Sequence, residues 1–232
     1  EVIVAPADTD VAELEERSRR RADALAGSSG EGATRDGYKV KLLANIGTAE
    51  DAEKAAALDL EGSGLFRTEF LFLDREQAPT VEEQTETYTS VLKSFGERRV
   101  VVRTLDAGAD KPLAFADLGP EDNPALGRRG LRLSQVRTDL IDTQLAALAE
   151  AAERTGRDPY VMAPMVATPA ESTWFAERAR AAGIKTVGIM VEVPSTALRS
   201  AQVLEPVDFA SIGTNDLTQY CMAADRLQGE LA

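Results

Sequence analysis

The sequence predicts an α/β fold of the (β/α)8 barrel type, with about six of the eight β/α units carried by its 232 residues. Three observations carry that expectation. Short apolar, β-rich runs alternate with segments of helical periodicity from residue 38 onward. Several of the runs stop at a charged or amide residue, as strands do when they deliver ligands to the C-terminal edge of a parallel sheet. Those polar ends belong to different runs, which suits a barrel mouth; a doubly wound sheet, the alternative, would gather its ligands at a single switch point.

Residues 1–6 read as extended. Asp10-Val-Ala-Glu13 has the spacing of a capping box ahead of a charged helix reaching Ala26, with Gly27 as its C-cap. Its apolar positions Val11, Leu14, Ala22 and Leu25 are sparse, so a narrow stripe is buried and the helix reads as a connector. The run from Ser28 to Gly37 is rich in Gly and Ser and reads as a flexible linker. Residues 1–37 are therefore assigned to a connecting segment and 38–232 to the main domain. Within it the candidate strands are 40–45, 64–70, 99–104, 160–165, 187–191 and 209–212, and helical segments include 49–58, 80–95 and 169–182.

The strand ends supply the candidate chemistry. The second run enters Arg67-Thr-Glu69, the third Arg103-Thr-Leu-Asp106, the fifth Glu192 and the sixth Asn215-Asp216. Glu192 and Asp216 suit one hard divalent cation, since magnesium takes a few carboxylates together with water and substrate phosphate. They read equally as a strand terminus and a helix N-cap. The interval between the third and fourth runs is unusually long and contains a Gly/Pro-rich loop that ends in Arg128, Arg129 and Arg132. Those arginines read either as a solvated helix start or, with Arg67 and Arg103, as an anion site built from guanidinium forks. Gly62-Ser-Gly64 lacks the third glycine and the helix start of a dinucleotide fingerprint.

Composition narrows the classes. The chain has 26 basic and 39 acidic residues and a net charge of -13, which argues against nucleic acid and anionic membrane as partners. A hydrophobic content of 44% suffices for a core, and no run approaches the ~18 apolar residues of a membrane span. The first residues are neither a signal peptide nor an intact start, so the sequence reads as a piece of a longer cytoplasmic chain. With one cysteine, Cys221, and no histidine, an internal disulfide, the usual zinc sites and histidine-based triads are excluded.

Five ordered stretches then point to a family: Gly64-Leu-Phe-Arg-Thr-Glu-Phe-Leu-Phe72, Val102-Arg-Thr-Leu-Asp-Ala-Gly-Ala-Asp-Lys111, Asn123-Pro-Ala-Leu-Gly127, Met190-Val-Glu-Val-Pro194 and Ser211-Ile-Gly-Thr-Asn-Asp-Leu-Thr-Gln-Tyr220. Together they resemble the phosphoenolpyruvate-utilising domain of enzyme I of the bacterial sugar phosphotransferase system. Pyruvate phosphate dikinase and phosphoenolpyruvate synthase carry the same domain, but Arg-Thr-Glu-Phe-Leu-Phe and Asp-Leu-Thr-Gln-Tyr, with Ala-Asp-Arg226 after them, look most like enzyme I. The resemblance implies that Arg67, Arg103 and Arg226 bind phosphoenolpyruvate, that Arg129 joins the phosphate pocket, that Asn215 and Asp216 contact the substrate, and that Glu192 and Asp216 hold Mg2+. Arg128 departs from the family pattern, which has an aromatic residue there.

The same resemblance implies an activity and partners. The activity is that of a phosphoenolpyruvate-protein phosphotransferase, which passes the phosphoryl group to a histidine on a separate N-terminal domain of the parent protein in the first step of sugar uptake. Through that domain it reaches a small histidine-containing phosphocarrier protein, and the family implies a cytoplasmic homodimer. The acceptor histidine and the proton-donor cysteine are expected outside this chain, so no catalytic residue is assigned within it and the isolated chain is expected to be inactive. Cys221 is expected to pack as a small buried hydrophobe. The last two β/α units are expected to be absent, which would leave two open strand edges. The alternatives are a truncated, non-catalytic dimerisation module, or the equivalent domain of the dikinase or the synthase.

Overall fold

A computed structural model describes residues 7–26, 32–107, 113–116, 119–226 and 228–230. The chain forms two compact units, residues 1–42 and 43–232. In the first, α1 (Asp8–Ala26) starts ahead of the expected capping box. The Ala7 N–H donates to the Asp10 carboxylate at 3.3 Å, which puts Asp10 inside the first turn and not at the cap. Residues 32–40 carry a backbone-bonded turn: Thr34 N–H donates to Tyr38 O and Val40 N–H to Gly32 O, both at 2.8 Å, and Gly37 closes it at φ 86°. The expected extended residues 1–6, the Gly27 cap and residues 28–31 lie outside the described residues.

The second unit is the predicted sheet. Strands β1 (Ala44–Ile46), β2 (Gly62–Arg67), β3 (Arg99–Arg103), β4 (Tyr160–Ala163), β5 (Thr186–Val191) and β6 (Phe209–Ile212) pair in sequence order, and every pair is parallel. Helices separate them: α2 (Ala49–Ala56), α3 (Val81–Phe95), α4 (Leu131–Val136) and α5 (Thr138–Thr155), α6 (Pro169–Ala181), then α7 (Pro194–Leu198) and α8 (Ser200–Val203). α9 (Thr214–Met222) comes after β6. The sheet curls into a half-barrel, a partial (β/α)8 architecture. Three helices start the same way, with Thr48, Thr80 and Thr168 in reciprocal capping boxes with Asp51, Glu83 and Glu171.

Strand alternation explains where the mouth residues point. On β3, Val100 and Val102 pack in the layer between sheet and helices, while Val101 packs on the concave face with Met162, Met190, Leu65, Tyr160 and Phe209. A period of two then carries Arg103 to the concave face too, and its register partner Arg67 on β2 shares it. The concave face is floored by aromatics. Tyr160 and Phe209 meet edge to face at 5.5 Å, and Arg99 sits over the Tyr160 ring at 4.5 Å. Gly188 makes room for this floor, since a Cβ there would come within 2.5 Å of the Phe209 ring.

The structure corrects several expected boundaries. The run 64–70 stops being a strand at Arg67 and becomes a 3-10 turn, Thr68–Leu71, which buries Thr68 and Glu69 behind the mouth. The first run is strand only over Ala44–Ile46; Val40 and Leu42, expected to pair, are exposed. Past the expected Gly/Pro-rich loop, the long interval holds α4, which begins among the arginines read as a possible helix start, and then α5, whose buried stripe of Leu140, Ile141, Gln144, Leu145, Leu148 and Ala151 is a full amphipathic face. Cys221, expected to be buried, is exposed on α9, because that helix turns Asp216 inward and leaves the positions around Cys221 to solvent.

Candidate functional site

Because all strands run in one direction, β2, β3, β5 and β6 deliver their terminal residues to one edge of the sheet. There Arg103, 7% exposed, holds Glu69 through Nη2 and Asp106 through Nη1 at 3.2 Å. Asp106 binds a second arginine: Arg129 Nε donates to its Oδ1 at 3.3 Å and Arg129 Nη2 to its Oδ2 at 3.0 Å. Arg129 Nη1 then donates to Asp216 Oδ1 at 3.0 Å, and Asp216 Oδ2 takes Arg226 Nη1 at 3.1 Å. Three guanidiniums are thus chained through two shared carboxylates.

Each member has a local cause for its place. Arg129 reaches the mouth because Gly130 turns the chain at φ 55°, where a Cβ would come within 2.9 Å of Met165. Asp216 sits in the first turn of α9, where an acidic side chain also faces the positive end of the helix. Tyr220, one turn further on, donates its hydroxyl to Ala125 O and accepts from Arg129 Nη1 at 3.4 Å, so α9 is tied to the 3-10 turn Pro124–Leu126. Arg226 is fixed at its backbone too, its N–H donating to Gln219 Oε1 at 3.1 Å. A cavity of about 720 Å³ opens between that turn and the end of α9, with Arg129, Arg226, Tyr220 and Gln219 in its wall.

Glu192 differs from the other carboxylates. It comes directly after β5, is 1% exposed, and no arginine hydrogen-bonds to it among the described residues; its Oε1 accepts the Met165 N–H at 2.7 Å. Its other oxygen faces Gly213, where a Cβ would come within 2.6 Å. Burial, and then the negative charge of Asp106, push its pKa up to about 7. The arginines respond in the opposite sense. Burial works against the Arg129 cation, but Asp106 and Asp216 more than offset it and hold its pKa above the usual arginine value. Arg103 is raised against the same burial by Asp106, Glu69 and Glu192.

Of the expected site residues, Arg103, Arg129, Asp216 and Arg226 are joined by hydrogen bonds, and Glu192 lies close enough to feel the Asp216 charge. Arg67 and Asn215 are exposed at the same edge, and their side chains make no hydrogen bond among the described residues. The arginine cluster read as a possible solvated helix start divides. Arg129 is buried, Arg128 is exposed and pairs with Glu121 at 3.2 Å, and Arg132 caps the carbonyls of Leu126 and Gly127 at 2.8 and 3.2 Å. Asp106, Glu69 and Tyr220 received no role from the sequence. Their signal was position, since Glu69 and Asp106 come after strand ends in the same tripeptide and tetrapeptide that carry Arg67 and Arg103.

A family model described as PEP-utilising enzyme, PEP-binding domain matches residues 25–232. The chain is 53% identical over 234 residues to the phosphoenolpyruvate-protein phosphotransferase of Streptomyces coelicolor, covering 100% of this chain and 42% of that protein. To the protein of the same name from Haloferax volcanii it is 47% identical over 206 residues, covering 83% and 36%. To that of Staphylococcus carnosus it is 42% identical over 243 residues, covering 98% and 42%. The chain spans about two fifths of the length of these relatives. With its parallel half-barrel, its polar strand ends and a match that takes in nearly all of its length, the chain belongs to the PEP-binding domain family of the PEP-utilising enzymes.

Proposed function

We propose that this domain binds phosphoenolpyruvate with Mg2+ and acts as the phosphoryl-donor site of a phosphoenolpyruvate-protein phosphotransferase. The observation that carries the reading is the chain of guanidiniums at one mouth, in which Arg103 Nε is buried with no hydrogen-bond partner among the described residues. A buried donor without an acceptor costs about 1–3 kcal/mol, and burying ions costs several more, so the cluster is a poor device for stability alone. It suits a small, multiply charged anion. Phosphoenolpyruvate presents a carboxylate and a phosphate on one short frame, and arginine forks bind both.

The fit of a cation rests on Glu192. A buried carboxylate with no ion pair among the described residues, whose charge is disfavoured by burial and by Asp106 more than the Arg103 charge offsets, is the environment a divalent ion relieves. Two carboxylates can be the protein's whole share of a Mg2+ site, because that ion completes its shell with water and substrate phosphate. Glu192 and Asp216 would hold it, and when bound it would neutralise charge on the phosphoryl and enolate oxygens. Asp106, bound to both Arg103 and Arg129, keeps two guanidinium planes fixed before substrate arrives, so little reorganisation is left for the reaction. Arg67 and Arg226, at the exposed rim, retain N–H groups for the substrate oxygens.

In the transfer the phosphorus–oxygen bond of phosphoenolpyruvate breaks, its electron pair stays on the enolate oxygen, and a phosphorus–nitrogen bond forms to a histidine on an N-terminal domain of the parent protein. That domain passes the group to a small histidine-containing phosphocarrier protein in the cytoplasm, the first step of sugar uptake by the phosphotransferase system. A second reading, a non-catalytic module that acts through homodimer contact, is favoured by exposed Leu198, Ile212 and Met222.

Calorimetric titration with phosphoenolpyruvate at several magnesium concentrations tests the first reading against the second. Arg67→Ala removes a side chain with no structural bond and should weaken binding roughly tenfold at every magnesium level. Glu192→Gln should abolish the magnesium dependence. Unmodified chain that takes up no phosphoenolpyruvate would leave only the interaction module standing.

A further inference from the structure

Behind the mouth runs a buried polar chain that the charge cluster does not use. Gln144 on α5 is 0% exposed. Its side-chain oxygen accepts the Leu105 N–H at 2.9 Å, and its amide nitrogen donates to Thr68 Oγ1 at 3.1 Å and to the Tyr88 hydroxyl at 3.0 Å. Thr68 donates onward to the Arg103 carbonyl at 2.9 Å. Tyr88 donates to Gln84 Oε1 at 2.9 Å, and Gln84 Nε2 to the Pro79 carbonyl at 3.1 Å. Every proton in the chain has a direction. A backbone N–H can only donate, so the Gln144 oxygen faces Leu105 and its NH2 faces the two hydroxyls, each of which keeps one proton for the acceptor beyond it.

The contacts of this chain fall where the sheet stops holding the backbone. The Thr104 N–H still donates to Met162 O at 2.9 Å, but past it the Leu105 N–H has, among the described residues, only Gln144, and the Arg103 carbonyl takes the Thr68 hydroxyl. A hydrocarbon of the same shape would fill the space as well, so packing does not account for an amide here. Glutamate would bring a second acceptor to hydroxyls whose protons are already committed.

We propose that Gln144, with Thr68 as its relay, is a positioning residue. It fixes the backbone of residues 103–106 and thereby the Arg103 guanidinium and the Asp106 carboxylate to which Arg129 is bound. It touches no ligand. The functional half of this inference rests on the phosphoenolpyruvate reading; the structural half does not.

The test compares Gln144→Met and Thr68→Val, which keep shape and delete the hydrogen bonds, with Thr68→Ser, which keeps the hydroxyl. Thr85→Val is the control, because it deletes a buried hydroxyl bond, to Ala147 O at 3.4 Å, between the same two helices α3 and α5. Three quantities are read: amide hydrogen exchange at Leu105, phosphoenolpyruvate affinity at saturating magnesium, and melting temperature. Gln144→Met should speed Leu105 exchange by about tenfold or more relative to Val102, and both it and Thr68→Val should weaken affinity roughly tenfold. Thr68→Ser should restore affinity, and Thr85→Val should lower the melting temperature alone. Affinity within about twofold of the parent chain in both Gln144→Met and Thr68→Val, with melting lowered as in the control, would overturn the proposal. If the parent chain binds no phosphoenolpyruvate the substrate reading falls by itself, and Leu105 exchange decides: unchanged protection in Gln144→Met refutes the positioning role.

Discussion

At Glu192 the site keeps a carboxylate where its charge is disfavoured. Burial is the main cause, the Asp106 charge the next, and the pKa rises from 4.5 to about 7. Between those values the folded chain holds a proton that the unfolded chain has released. Stability without metal therefore falls as pH rises through that window, by an amount on the order of 1–3 kcal/mol. Glu192→Gln keeps the acceptor for the Met165 N–H and removes the titration. Melting curves without magnesium should show the variant more stable than the parent at pH 8 and the difference gone near pH 4.5; a variant less stable at pH 8 would contradict it. With magnesium present, binding must expel the proton, so phosphoenolpyruvate affinity of the parent should decline below about pH 7.

At the level of elements, the capping box of α3 sets a different pH response. The Thr80 side chain accepts the Glu83 N–H, and the Glu83 carboxylate takes the Thr80 N–H at 2.8 Å and Arg75 Nη1 at 2.8 Å. The Arg75 bond first, and the Thr80 backbone bond next, hold the Glu83 pKa down to about 2. A lowered carboxyl stabilises above its unfolded value and loses that contribution as pH falls from about 4.5 toward 2, the reverse of Glu192. Thr80→Ala should cost about 1 kcal/mol at neutral pH, read as a lowered denaturant midpoint with unchanged slope; a midpoint equal to the parent's would mean the box contributes nothing. Elements of this kind show how far local signals reach. Thr80-Val-Glu-Glu83 carries its box in four residues, and α3 was legible to within a residue. β2 was not, because Phe70 to Phe72 continues the aromatic and aliphatic pattern past Arg67, and only the contact between Glu69 and Arg103, distant in sequence, explains why the chain turns at Thr68. α5 was legible only through the possible helix start at Arg128, Arg129 and Arg132: its stripe is regular, but it begins after the short α4 and the break at Arg137. Arg103, Glu192 and Asp216 could be named from strand ends, whereas the bonds of Asp106 to two arginines and the reach of Gln144 to Leu105 depend on packing between elements far apart in the chain.

The whole molecule carries a net charge of -13 and still gathers arginines at one mouth. That is compatible because charges farther away than the Debye length of about 8–10 Å are largely screened, while those in the mouth share a partly buried, less polarisable setting. A chain arranged in this way can bind and neutralise an anionic donor, but its composition restricts the chemistry it can perform on that donor. It contains no histidine, and its single cysteine, Cys221, stands exposed on α9, with no described hydrogen bond to the arginine chain. Carboxylates, arginines and a tyrosine can hold a phosphoryl group in place, yet none of them offers the neutral nitrogen nucleophile that the proposed transfer needs. The 232-residue chain alone should therefore bind phosphoenolpyruvate and leave a histidine-containing carrier protein unphosphorylated, with no pyruvate released above the buffer rate. Incubation with labelled phosphoenolpyruvate, magnesium and carrier, followed by separation of the proteins, measures this directly. Label appearing on the carrier would show that it can take the group straight from the mouth, without the separate histidine domain that the proposed division of labour requires.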